Sequence, residues 1–343
     1  MKSHIGIFIC IAVLSLFANA QNGNSTEDDY QYLSYHEIVD TFKNLSEKFP
    51  NLIKTENIHD KYGVPYQFGP CGETKCTIYL VTISDFNSTN KHKPQVYLSG
   101  NLHGDEKLGP LVLTYLAEYL VSNFTSNQDV KRLLQNREIL MTPVTNAQGY
   151  HYDRRTEKVN GSMYVDINRD FPYNRNDKEC FSSVASRVVF KIFQQNNILG
   201  CLTYHGGTEV IGYPWGSYNH RSKTSRNKGT EAPDHMMFEK IATVLKVKSH
   251  VDHWSDLRTG DMTSTVYPCY GAMEDWAYGG AWDNSSNARM TECAPRTYHP
   301  YNNTEYFANI SHIKPAIYLI ESSTRKHPMP SRLGDSANIF CHN

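Results

Sequence analysis

The sequence predicts an α/β fold: a single domain built on a mixed, mostly parallel twisted sheet flanked by helices. Three observations carry that expectation. Short apolar runs of strand length alternate with longer segments whose apolar residues recur at helical spacing. Hydrophobic residues make up 39% of the 343-residue chain, ample for a large core. No internal repeat and no long Pro-, Gly- or Ser-rich linker divides it.

In chain order, the first twenty residues stand apart. Lys2 gives a positive start, residues 5–17 carry no charge, and Ala18-Asn19-Ala20 is a small-x-small cleavage pattern, so residues 1–20 read as a secretory signal peptide. The apolar run is shorter than the roughly 20 residues that span a bilayer, and no other run is long enough. Residues 21–29 are a loose polar leader, residues 30–335 the folded domain and residues 336–343 a tail. Ser34 and Glu37 form a capping box, and Tyr35, Ile38, Val39, Phe42, Leu45 and Phe49 mark one face of a helix that Pro50 stops. Residues 77–83 and 95–99 read as strands. A helix runs from Gly109 through Leu120, a strand returns over 138–144, and helices follow over 182–195 and 234–247. Residues 201–204 and 316–320 are the remaining apolar strands.

Lys and Arg number 34 against 35 Asp and Glu, and the basic residues are dispersed, which argues against a nucleic-acid footprint. A monomer is expected. Eight sequons, at Asn24, Asn44, Asn87, Asn123, Asn160, Asn284, Asn302 and Asn309, fit a secreted or vacuolar glycoprotein. Removing Cys10 with the signal leaves an odd number of cysteines, of which Cys71 and Cys76 are placed for a local bridge. The spacing of the others does not make a Cys-only zinc site.

The chemistry concentrates where strands end. His103 and Glu106 lie on a turn just after the strand 95–99, and an imidazole with a carboxylate three residues on supplies two of the three protein ligands of a catalytic zinc. His205 ends the run Leu202-Thr203-Tyr204, and Glu321 ends Ile317-Tyr318-Leu319-Ile320. In open α/β sheets ligands bind beyond the carboxyl ends of the strands, so three such residues at three strand ends point to one site.

These motifs, in this order, resemble the zinc metallocarboxypeptidases of the carboxypeptidase A/B type, especially secreted protist or microbial members, over about residues 30–334. The His, His, Glu ligand set of carboxypeptidase A is itself a standard instance of a catalytic zinc site, so the set here is inherited from the resemblance. The resemblance implies one zinc per chain, held by His103 and Glu106 in LHGDE and His205 in TYHGG, with Glu321 in LIESS as general base. It also implies that peptide or protein C-termini are the substrate, gripped by Asn168 and Arg169 in VDINRDFP, since a guanidinium binds a carboxylate bidentately.

An arginine that stabilises the developing oxyanion falls on Arg155 or its neighbour Arg154, with Arg155 favoured. Tyr267 matches the tyrosine that closes over substrate, whereas Tyr278 reads as core. Glu274, just before Asp275-Trp276, stands where the family sets specificity. A buried carboxylate facing the pocket would favour Lys or Arg at the substrate C-terminus. Cys269 and Ala272 depart from the family's usual residues in the pocket wall. The stretch after the signal is too short for a large inhibitory prosegment, and that after Glu321 too short for an added β-sandwich. The alternatives are a related zinc amidohydrolase acting on small acylated amino acids or cell-wall peptides, and a catalytically silent binding protein on the same scaffold.

Overall fold

The structure, a computed structural model, describes residues 30–248, 257–285, 293 and 314–333. The signal peptide, the leader, the C-terminal tail, Cys341 and the sequons at Asn24, Asn302 and Asn309 lie outside the described residues.

The strands are β1 (Ile53–Asn57), β2 (Pro70–Cys71), β3 (Thr74–Lys75), β4 (Tyr79–Ile83), β5 (Gln95–Ser99), β6 (Glu138–Thr142), β7 (Glu157–Lys158), β8 (Tyr164–Val165), β9 (Ile198–His205), β10 (Thr208–Tyr213), β11 (Arg258–Asp261) and β12 (Ala316–Ser323). Eight of them form one sheet in the order β1-β4-β6-β5-β9-β12-β10-β11, while β2 with β3 and β7 with β8 are small separate ladders. The centre of the sheet is parallel, from β6 through β5 and β9 to β12, and antiparallel pairs border it at β6 with β4 and β12 with β10.

The helices are α1 (Tyr35–Lys48), α2 (Ile58–Tyr62), α3 (Leu108–Ser122), α4 (Gln128–Asn136), α5 (Ala147–His151), α6 (Val184–Gln195), α7 (His235–Lys248), α8 (Met262–Thr265) and α9 (Met273–Gly279). Ser34 caps α1 with the expected capping box, and Tyr35, Ile38, Val39, Phe42 and Leu45 are its buried face. One large apolar cluster ties the longer helices to the sheet, Phe42, Leu113, Phe190 and Phe238 packing with Leu98, Leu202 and Ile320. Among the described residues no helix is long and apolar enough to cross a membrane.

The predicted fold class is the observed one, and the differences lie at the two edges of the sheet and in the interior strand β10. Strands β1 and β11 are the sheet edges, with the polar sequences IKTEN and RTGD, so neither shows the apolar alternation that marks a half-buried strand. Strand β10 and helix α4 were also not expected. Strands β9 and β12 run longer than their apolar cores and carry His205 and Glu321 inside the ladder, where the two residues are register partners. The expected Cys71–Cys76 bridge forms, and a second links Cys180 to Cys293. Cys201 and Cys269 are free thiols.

Candidate active site

Strands β5, β9 and β12 are parallel neighbours, so their carboxyl ends emerge together. The turn after β5 carries His103 and Glu106, β9 ends on His205, and Glu321 lies beside His205 on β12. Gly104 lets that turn press against the chain around Gly149: a Cβ there would sit 2.1 Å from the Gly149 carbonyl carbon and 2.4 Å from the Arg154 oxygen. The same contact is sealed by a hydrogen bond from Gly104 N to Arg155 O, 3.2 Å, which places Arg155 beside the turn.

His103, Glu106 and His205 converge, with one ligand-type atom from each within 4.8 Å of the others. All three are buried. Nδ1 of His103 lies 2.9 Å from one Glu106 oxygen, Nδ1 of His205 lies 2.9 Å from the other, and the two Nδ1 atoms are 3.1 Å apart. Two imidazoles and a carboxylate aimed at one point make a donor set suited to a divalent cation, zinc above all. The electrostatics agree. Burial pushes the Glu106 carboxyl up, but the two histidines outweigh it and hold Glu106 well below the usual range. Burial lowers His205, and Glu106 and Glu274 more than reverse that, so the cluster favours positive charge.

The half-buried Glu321, register partner of His205 and within electrostatic reach of the cluster, has its Oε2 buried without any hydrogen-bond partner among the described residues. Burial raises its pKa. An ionisable oxygen that no protein group satisfies is placed to take a proton from a ligand.

Of the two competing arginines the structure brings one to the cluster. Arg155 donates from Nε to Asp166, 3.0 Å, and its terminal nitrogen lies 3.4 Å from Glu106 and 3.1 Å from His103 Nδ1. Arg154 turns outward to the Tyr164 hydroxyl at 2.6 Å.

Arg169 is half-buried and reaches Tyr267, donating to its hydroxyl at 3.0 Å. Tyr267 is 51% exposed, so this hydroxyl stands at the mouth of the site. Gly271, at φ +64°, lets the tyrosine-bearing segment pack on the Arg169 backbone, since a Cβ there would lie 2.4 Å from the Arg169 oxygen. Asn168, by contrast, is buried, its Oδ1 accepting from Met273 N at 2.8 Å and its Nδ2 donating to Glu274 at 3.2 Å. Its amide therefore braces the site from beneath.

Glu274 has no solvent exposure. The sequence reading has its carboxylate face a pocket; in the structure it is wrapped by the Thr203 hydroxyl, the Asn168 amide and the His205 ring, because a buried charge needs such donors. Tyr278 is core, as expected.

Two residues escaped the sequence reading. Asp166 accepts from Arg155 and from Asn168 N, and its Oδ1 lies 3.1 Å from His103 Nε2, the nitrogen turned away from the cluster. Its only signal was its place in the same short motif as Asn168 and Arg169. Lys326, five residues past Glu321, reaches Asp105 at 2.8 Å and comes within 3.8 Å of Glu106. Nothing local in the sequence marks it.

Residues 71–316 match the family model described as zinc carboxypeptidase. The chain is 26% identical over 214 residues to carboxypeptidase SOL1 of Arabidopsis thaliana, covering 60% of this chain and 42% of that protein. It is 24% identical over 276 residues to carboxypeptidase B of Astacus astacus, covering 72% and 82%. The solved carboxypeptidase A of Helicoverpa armigera superposes with a TM-score of 0.59 at 19% identity, over 91% of this chain and 76% of that one, a likeness of fold. The chain spans a fifth to just over half of the length of the first curated relatives it matches.

Proposed function

The chain belongs to the zinc carboxypeptidase family, and from that premise we propose that it is a zinc-dependent metallocarboxypeptidase, releasing the C-terminal residue of peptides and proteins. The observation that carries the reading is the convergence of His103, Glu106 and His205 at one end of parallel strands, with the unpartnered Glu321 oxygen beside them. Zinc, when bound there, would lower the pKa of a water and polarise the scissile carbonyl. Glu321 takes the water's proton and passes it to the leaving amine. Arg155, already beside the cluster, steadies the charge that develops on the carbonyl oxygen. Arg169 binds the substrate's free carboxylate, Asn168 holds the floor behind it, and Tyr267 at the mouth hydrogen-bonds the bound peptide.

Metal analysis with a peptide panel tests this. Stoichiometric zinc, turnover lost on chelation and restored by zinc, and no cleavage of C-terminally amidated peptides are expected. A chelated protein that retains its rate would refute it.

The two arginines give a second test. Arg155→Met is expected to lower kcat by about 10²–10³-fold, the usual effect of losing one oxyanion donor. Arg154→Met should leave kcat within about twofold, as an exposed side chain paired only on the surface. Equal effects in steady-state kinetics would undo the assignment.

Preference for Lys or Arg at the substrate C-terminus rests on the position of Glu274, whose carboxylate, although wrapped by Thr203, Asn168 and His205, has no Lys or Arg partner among the described residues. Peptides ending in Arg, Lys, Phe and Leu decide it, a higher kcat/KM for Phe or Leu counting against. Secretion is supported by the two disulfides and by the exposure of Asn44, Asn87, Asn160 and Asn284.

A further inference from the structure

Each histidine of the cluster turns Nδ1 inward, which leaves each Nε2 to be satisfied from behind. His103 has Asp166 there, 3.1 Å away. The surroundings of His205 are less symmetrical: Nε2 lies 3.4 Å from Asn168 Nδ2 and 3.7 Å from Glu274 Oε1. The orientation of the Asn168 amide is fixed by its other end, because Oδ1 accepts from Met273 N, so the atom it shows His205 is a donor. With the ring proton on Nδ1, Nε2 carries a lone pair and Asn168 can donate to it. Once Nδ1 is given to a cation, the proton must sit on Nε2, where it meets the Asn168 donor on one side and the Glu274 oxygen on the other. Between those two neighbours Glu274 is the one acceptor.

We propose that Glu274 is the positioning residue of His205, accepting the Nε2 proton and so fixing the tautomer and ring orientation that leave Nδ1 free for zinc. The inference rests on the reading of His205 as a zinc ligand and deepens it: the carboxylate at the specificity position serves the metal centre. The 3.7 Å separation is that of an ion pair and exceeds a hydrogen bond, so the bond is one that zinc loading completes. The carboxylate is held ready for it. Glu274 is fully buried, the Thr203 hydroxyl donates to Oε1 and the Asn168 amide to Oε2. Thr203 and His205 are two residues apart on β9 and share a face, so the strand that presents the ligand also presents the group that anchors its partner. Carboxylates behind ligating histidines raise ligand basicity and hold the ring.

The test is zinc affinity, measured by competition with a chromophoric chelator on the whole protein. Glu274→Met removes the acceptor at similar volume and is expected to weaken zinc binding about 10- to 100-fold. Glu274→Gln keeps one acceptor oxygen, and its smaller loss, about 3- to 10-fold, would separate loss of the acceptor from disturbed packing. Variants that bind zinc as tightly as the wild type overturn the proposal, even if the preference among C-terminal residues changes. Should the Met variant not fold, the Gln variant decides alone, unchanged affinity overturning the proposal. Wild-type protein that binds no zinc would fail the underlying reading, a result distinct from wild-type binding that the substitutions leave untouched.

Discussion

Glu321→Gln is expected to lower kcat about a thousandfold while zinc content stays at the wild-type level, because the substitution removes the proton acceptor and leaves the ligands in place. The amide is nearly the same size, so the ladder between β12 and β9 survives. Glu321 has a buried oxygen with no hydrogen-bond partner among the described residues, a property it shares with Asp105, whose other oxygen is tied to Lys326, whereas both oxygens of Glu106 and of Glu274 are hydrogen-bonded. Burial raises its pKa, and a base works only when deprotonated. The acid limb of kcat/KM should therefore be shifted upward from that of an exposed carboxylate in the wild type and vanish from the residual activity of the variant. Steady-state rates across pH, with metal analysis of the same samples, measure both. Near-wild-type turnover would remove Glu321 from the mechanism.

The second large effect concerns stability. Asp170 follows Arg169, the residue proposed to bind the substrate carboxylate, and is buried at the start of α6, where it accepts from the backbone nitrogens of Ser182 and Ser183, at 2.9 and 2.8 Å, and from the hydroxyls of Ser183 and Ser186. Glu157 does similar work alongside, accepting from Val184 N and Ala185 N, and burial pushes its carboxyl up to about 7. Between them they answer the unpaired donors that every helix start exposes. Asp170→Ala strands several of these donors away from water and should cost about 3–4 kcal/mol in chemical denaturation. It should also raise KM, because the segment bearing Arg169 loses its anchor. A loss under about 1 kcal/mol would mean that water replaces the carboxylate.

Much of this site was legible in the chain. His103, Glu106, His205 and Glu321 each follow or end an apolar run, and both features are local. What the sequence could not display is apposition between distant segments. Asp166 lies 63 residues from His103, and its hydrogen bond to that ring exists only once β5 and the turn after β8 are folded. Lys326 is the same case at a separation of 221 residues from Asp105. Glu274 was recognised by position, but the direction of its carboxylate depends on Thr203 and Asn168, which the sequence does not bring near it. In the fold the same division holds. Central strands announce themselves because both faces are apolar, while β1 and β11 are held by ladder hydrogen bonds whose partners no local pattern reveals.

The position of β12 has a consequence for how the protein comes into being. It is the last of the described strands in the chain, yet it slots into the middle of the sheet, between β9 and β10. A nascent polypeptide emerging from the ribosome can pair β5, β6 and β9, but it leaves a gap until residues 316–323 arrive. Such long-range closure is intrinsically slow. Since Glu321 travels on that strand, His103, Glu106 and His205 can be in place on the earlier strands while the site still lacks its fourth member, which arrives only when β12 inserts.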